Sequence, residues 1–178
     1  MKPFVVDVAD LVHRLGARRT DSRSGPTATM QVAETVVPDD GILTVEARFE
    51  PVGSGILVTG WASVEWQSQC RRCAIPISGV TRSEFQEQFD DDADSAAKLD
   101  GDTYPMRHQQ VDLELVSREA ILLDLPLAPL CRADCAGLCI TCGTDLNEHA
   151  CTCASSTADP RWAALDALSF GFDSAEEG

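Results

Sequence analysis

Alternation of apolar and polar residues is clearest in the first half of the chain. Ile42 to Phe49, ILTVEARF, sets Leu43, Val45, Ala47 and Phe49 on one face and Thr44, Glu46 and Arg48 on the other, the signature of a half-buried strand. Pro51 to Gly55 supplies a turn. Ile56 to Gln67 then alternates again through Ile56, Val58, Ala62, Val64 and Trp66, so the two segments predict a hairpin. Ile75 to Phe89 adds a third strand with Ile75, Ile77, Phe85 and Phe89 on its odd-numbered face, giving an antiparallel meander.

The period changes at VDLELVSREAILLDLPLAP. Asp112 can cap a helix there, Leu113, Val116, Ala120 and Leu123 recur at helical spacing, and Pro126 ends the run. Near the N-terminus, Phe4 to Val8 reads as a short strand, and Ala9 to Arg19 as a short helix carrying Leu11, Val12 and Leu15. Asp21 to Thr29, DSRSGPTAT, lacks any apolar period and reads as a flexible loop without core residues. Asp159 and Pro160 open a last short helix with Trp162, Leu165 and Leu168 on its apolar face.

The fold class this predicts is α+β: an antiparallel β-meander covered by one or two helices, followed by a C-terminal cysteine-rich zinc module. The expected organisation is a core domain over 1–129, a zinc module packed on it over 130–170, and a tail over 171–178. Within the core, 90–102 holds six aspartates against one lysine and no aromatic or β-branched residue, which predicts a disordered acidic loop. That run lacks the ligand spacing and closing glutamate of an EF-hand.

Composition narrows the function. The 178 residues carry 14 basic and 29 acidic side chains, a formal net charge of −15, which repels phosphate backbones at long range and favours basic partners. No apolar run is long enough to span a bilayer, and the N-terminal order of apolar then basic residues is the reverse of a signal peptide, so the expected location is cytoplasmic with no membrane contact. In a reducing cytosol the eight cysteines are poor disulfide candidates.

Their spacing points to metal. Cys70-x2-Cys73 falls between the second and third strands of the meander, and Cys131-x3-Cys135-x3-Cys139-x2-Cys142 is followed by Cys151-x-Cys153. A Cys-x2-Cys turn brings two sulfurs onto one ion, and Gly143 eases the second such turn. Closing the shortest loops assigns Cys139, Cys142, Cys151 and Cys153 to one zinc, and Cys70, Cys73, Cys131 and Cys135 to another. Exchanging Cys131 and Cys135 with Cys139 and Cys142 is an open alternative, and His149 could replace one thiolate. Each structural zinc contributes ~10 kcal/mol or more of apparent binding free energy. An Fe–S cluster and a redox Cys-x-x-Cys are the competing readings. The redox one expects a strand-to-helix setting, whereas CRRC runs into AIPISG between strands.

Taken in order, CRRC, VDLELVSREAILLDLPLAPLC, CAGLCITCGTDLN, CTC and DPRWAAL resemble the YceD family, the large ribosomal RNA subunit accumulation proteins, from about Phe4 to Leu168. The resemblance implies a bacterial or plastid protein needed for 23S rRNA accumulation or processing, with no catalytic residue to carry over. The expected role is non-enzymatic: binding a large-subunit ribosomal protein or a pre-ribosomal particle. Direct rRNA contact is the alternative, through the weak candidates Arg14, Arg18, Arg19 and Arg23 near the N-terminus and Arg71 and Arg72 in the first Cys-x2-Cys turn. A ribonuclease or other RNA-processing enzyme is the remaining one, although His13, His108 and His149 are scattered and no phosphate-cradling glycine loop is present.

Overall fold

A computed structural model describes residues 3–12, 14–53, 55–90 and 103–153. In chain order its elements are β1 (Val5–Asp7), β2 (Arg19–Pro26), β3 (Met30–Val32), β4 (Thr35–Val37), β5 (Ile42–Val52), β6 (Gly55–Gln69), β7 (Pro76–Asp90), β8 (Tyr104–Pro105), β9 (Gln110–Asp112) and α1 (Leu113–Asp124). The chain divides into two compact units between Cys135 and Ala136. All ten elements belong to the first.

Among the described residues the fold is mostly antiparallel sheet with one helix. β6 is its spine: along one edge it pairs with β7 over its whole length, from Gly55↔Asp90 to Gln69↔Pro76. Its other edge is shared. β5 takes Gly55 to Ser63, and β4 joins at Gln67. Leu43, Val45, Ala47 and Phe49 are buried on β5, as are Ile56, Val58, Ala62 and Val64 on β6, as their alternation predicts. Gly60 allows the two strands to approach, since a Cβ there would stand 2.2 Å from the Glu46 carbonyl oxygen. α1 packs on β6 and β7, starting where the Asp112 carboxylate accepts the Glu114 N–H at 3.0 Å. β1 and β9 form a separate two-stranded ribbon.

Several expectations are corrected. None of the described residues between Ala9 and Arg19 is helical. The segment runs through successive tight turns, such as Leu11 N–H to the Val8 carbonyl at 2.9 Å and Ala17 N–H to the Arg14 carbonyl at 3.0 Å. Gly16 sits at φ +86° and Leu15 is 79% exposed, so Leu11 is buried in the core, Val12 and Ala17 pack partly against it, and Leu15 does not. Asp21 to Thr29 is no flexible loop: most of it is β2, laddered on β5 from Arg19↔Phe49 to Pro26↔Ile42. Its backbone bonds and polar side chains hold it there, and a charged edge strand ending in proline resists further pairing.

The helix face is also rotated from the predicted one. Leu113, Val116, Ser117 and Ile121 point inward, whereas Leu123 is 87% exposed. Ile75 lies outside β7 and is exposed. Asp90 closes β7 and is buried, so it is not loop, and the rest of the acidic run lies outside the described residues, as does the helix expected after Asp159.

Candidate metal centres

Two groups of four sulfurs, each within 4.8 Å of one another, stand out: Cys70, Cys73, Cys131 and Cys135, and Cys139, Cys142, Cys151 and Cys153. These are the sets that shortest loop closure assigns. All eight cysteines are free, and His149 belongs to neither group. Within the first set, Cys70 and Cys135 sulfurs lie 3.8 Å apart and those of Cys73 and Cys131 3.7 Å apart. Four sulfurs at about 2.3 Å from a tetrahedral ion are about 3.8 Å from one another, so the spacing suits a metal of that size.

Local backbone explains how each set assembles. β6 and β7 run past their last paired residues into a Cys-x2-Cys knuckle, in which Cys70 N–H donates to the Ile75 carbonyl at 2.8 Å and Ala74 N–H to the Cys70 carbonyl at 2.8 Å. The second unit repeats this pattern: Cys139 N–H donates to Thr144 at 2.8 Å, and Gly143 N–H to Cys139 at 2.9 Å. Both knuckles need a left-handed residue after the second cysteine. Ala74 takes it at φ 59°, Gly143 at φ 73°.

The remaining ligands arrive on turns. Arg71 N–H donates to the Pro129 carbonyl at 3.0 Å, bringing the segment with Cys131 and Cys135 against the knuckle, and Cys135 N–H closes on Arg132 at 3.2 Å. In the second unit Asn147 Oδ1 accepts the Ala136 N–H at 2.8 Å, and Asn147 is itself held by Asp145.

The thiols are unequal. Backbone amides of Cys131 and Cys73 lower Cys70 to about 6, and those of Cys142 and Thr141 lower Cys139 to about 6. Burial pushes Cys131 up to about 12, and contact with Cys142 pushes Cys153 up to about 12. Like thiols crowded together cannot all ionise without a cation between them. The Thr144 hydroxyl, 3.1 Å from Cys142, lowers that thiol.

Of the arginines singled out for RNA, most serve the fold. Arg18 meets Glu50 at 3.3 Å, Arg19 meets Asp10 at 2.5 Å and lies over the Phe49 ring, and Arg23 meets Asp21 at 2.8 Å. Arg72 donates to the Cys135 carbonyl at 2.8 Å, strapping one ligand turn to the other; nothing in the sequence marks that role. Arg14 and Arg71 are exposed, with no side-chain partner among the described residues.

Sheet and site together define a β-sheet protein with one cysteine tetrad at the end of a hairpin and a second in a short following unit. The family described as Large ribosomal RNA subunit accumulation protein YceD matches residues 58–169. The chain belongs to the YceD family. It is 32% identical over 171 residues to an uncharacterized protein of Mycobacterium tuberculosis, covering 92% of this chain and 80% of that protein. An uncharacterized protein of Mycobacterium leprae is 30% identical over 174 residues, 93% of this chain and 77% of the relative. A chloroplastic YCED homolog 1 of Zea mays, named as a large ribosomal RNA subunit accumulation protein, is 37% identical over 82 residues, 39% of this chain and 27% of the maize protein. No solved structure matches. The family is thus named for accumulation of large-subunit rRNA and not for an enzymatic reaction, and among the described residues no helix is long and apolar enough to cross a membrane.

Proposed function

We propose that this protein is a non-enzymatic factor in large ribosomal subunit biogenesis, supporting 23S rRNA accumulation by binding a basic ribosomal protein or a pre-ribosomal particle in the cytoplasm, with one zinc in each tetrad. The observation that carries the structural half is the closed, all-sulfur donor set. Four thiolates fill a tetrahedral ion and leave no position for substrate or water, so the metals hold shape and do not catalyse. Sulfur-only tetrahedral sets favour zinc over hard cations. The net charge of −15 supports a basic partner.

Two measurements test this. Elemental analysis of the native protein is expected to give two zinc equivalents with no alkylatable thiol. Low-salt co-purification is expected to recover a basic large-subunit protein or a precursor particle; repeated recovery of neither removes the binding role. Direct rRNA contact is supported by Arg71, exposed at the tip of the first knuckle. If Arg14→Glu with Arg71→Glu leaves crosslinking to rRNA unchanged, that second reading fails.

A further inference from the structure

β7 has one satisfied edge and one open edge. Its register with β6 is unbroken, and the ladder continues through Cys70 N–H to the Ile75 carbonyl, so odd-numbered residues of β7 aim their backbone groups at β6. Asp90 shows the opposite direction for even residues: its carbonyl accepts the Met106 N–H at 3.0 Å, on the side where β8 pairs. The N–H and C=O groups of Ser78, Val80, Arg82, Glu84 and Gln86 therefore face away from the sheet, and none has a backbone partner among the described residues.

This run is bounded. Pro76, with no N–H to offer, opens it, and β8 occupies the last two positions, so the chain itself already adds a short strand to this edge. Unpaired edges of such length are templates for another strand, and proteins normally blunt them with charge, bulges or cover. Here Val80 stands 65% exposed in the middle, and no bulge interrupts the register.

We propose that the open edge of β7 is a docking site for an extended, lysine- or arginine-bearing polypeptide segment that adds as a further strand. Backbone bonds would supply the pairing and side-chain charge the selection. Glu84 lies on the solvent face, and Glu87 lies near Glu119 of α1. No basic side chain pairs with these three among the described residues, whereas Arg82 is engaged over the Trp61 ring at 3.8 Å. Burial and the Glu119 charge raise the Glu87 pKa, a strain that an incoming cation relieves. A second copy of this chain is the poorer occupant, because two chains of −15 repel. The inference rests on the proposed binding role and names its surface, but the edge belongs to the sheet and is tested without ribosomal material.

The probe is a synthetic peptide alternating lysine with valine or threonine, titrated into the full metal-loaded chain while amide exchange is followed by NMR. In the free monomer the even-numbered amides from Ser78 to Gln86 should exchange about tenfold or more faster than their odd-numbered neighbours, and the peptide should slow them by a similar factor. N-methylation at alternate peptide residues should weaken binding by about tenfold, as should Val80→Pro, which removes one outward N–H and spares the β6 ladder. Should Val80→Pro fail to fold, Glu84→Lys leaves the backbone intact and should weaken binding by about threefold or more. Equal binding of the N-methylated peptide, or none of the parent, overturns the proposal. So does protection of the even amides in the free monomer, which makes the chain its own occupant, or protection that grows with protein concentration, which makes it a second copy. Failure here with ribosomal co-purification intact removes the edge and leaves the proposed function standing.

Discussion

The two knuckles solve one backbone problem with different surroundings. Both close by the same pair of hydrogen bonds, from the first cysteine N–H to the carbonyl five positions on, and from the N–H four positions on to that cysteine's carbonyl. Around the first, Cys70, Cys73 and Cys135 are buried with Leu130 packed beside them, and the knuckle is anchored in the longest ladder of the sheet. Around the second, Cys139 is buried, but Cys142 is exposed, Cys151 and Cys153 are half-buried as Cys131 is in the first, and the described backbone has only one isolated bridge, Leu138↔Asp145. Like donor sets thus sit in unlike settings: an ion in the first adds to an existing core, while an ion in the second replaces a core.

Deleting a ligand should separate the two most strongly. Cys135→Ser is expected to lose one zinc equivalent and lower the Tm of the sheet by about 10 °C or more, because it empties a buried centre. Cys142→Ser should also lose one equivalent yet leave that transition within about 3 °C. Calorimetry with metal analysis on both variants checks this, and equal falls in Tm would erase the distinction.

Accessibility should appear next, as a rate. With chelator present, alkylation mapped by mass spectrometry should reach Cys139, Cys142, Cys151 and Cys153 about tenfold or more faster than Cys70, Cys73, Cys131 and Cys135. Simultaneous modification of all eight would mean that both centres open in one event.

Proton linkage should make the centres alike again. Cys131 and Cys153, at about 12, keep their protons at neutral pH in the metal-free protein, whereas Cys70 and Cys139, at about 6, are already thiolates. Zinc must displace the retained protons, so loading releases acid at pH 7, and affinity falls as pH falls, about tenfold per unit for each proton displaced. Below pH 6 the thiolates of Cys70 and Cys139 also take up protons, and both centres should bind more steeply with pH there. Zinc titrations from pH 5 to 8 read the slope directly.

The comparison also shows what the sequence could disclose. Alternation located β5, β6 and β7 because each buries one face, and cysteine spacing grouped the sulfurs because short loops close most cheaply. β2 was illegible for the complementary reason: Arg19, Asp21 and Arg23 take the positions where apolar residues would mark a strand, and its support comes from β5. Leu11, Val12 and Leu15 imitate a helix face, but Gly16 in the left-handed region and the exposure of Leu15 reflect turns that pack Leu11 and Val12 and leave Leu15 out. In α1 the run of leucines on several faces hid the phase, which Ser117 and Ile121 set from the sheet side. Arg72 looked like a phosphate ligand because its carbonyl acceptors on Ala133 and Cys135 lie about sixty residues away in sequence.

The smallest test isolates the backbone itself. Ala74 holds the left-handed conformation that Gly143 holds in the other knuckle, and a Cβ costs about 1 kcal/mol there. Ala74→Gly should therefore stabilise the first knuckle by about 0.5–1 kcal/mol, and Gly143→Ala should destabilise the second by about 1 kcal/mol, since nothing else lies within 4 Å of the added methyl. Denaturant unfolding reads the first, and zinc competition with a chelator reads the second. If the two substitutions shift in the same direction, the knuckles do not share one turn, and their matching hydrogen bonds are coincidence.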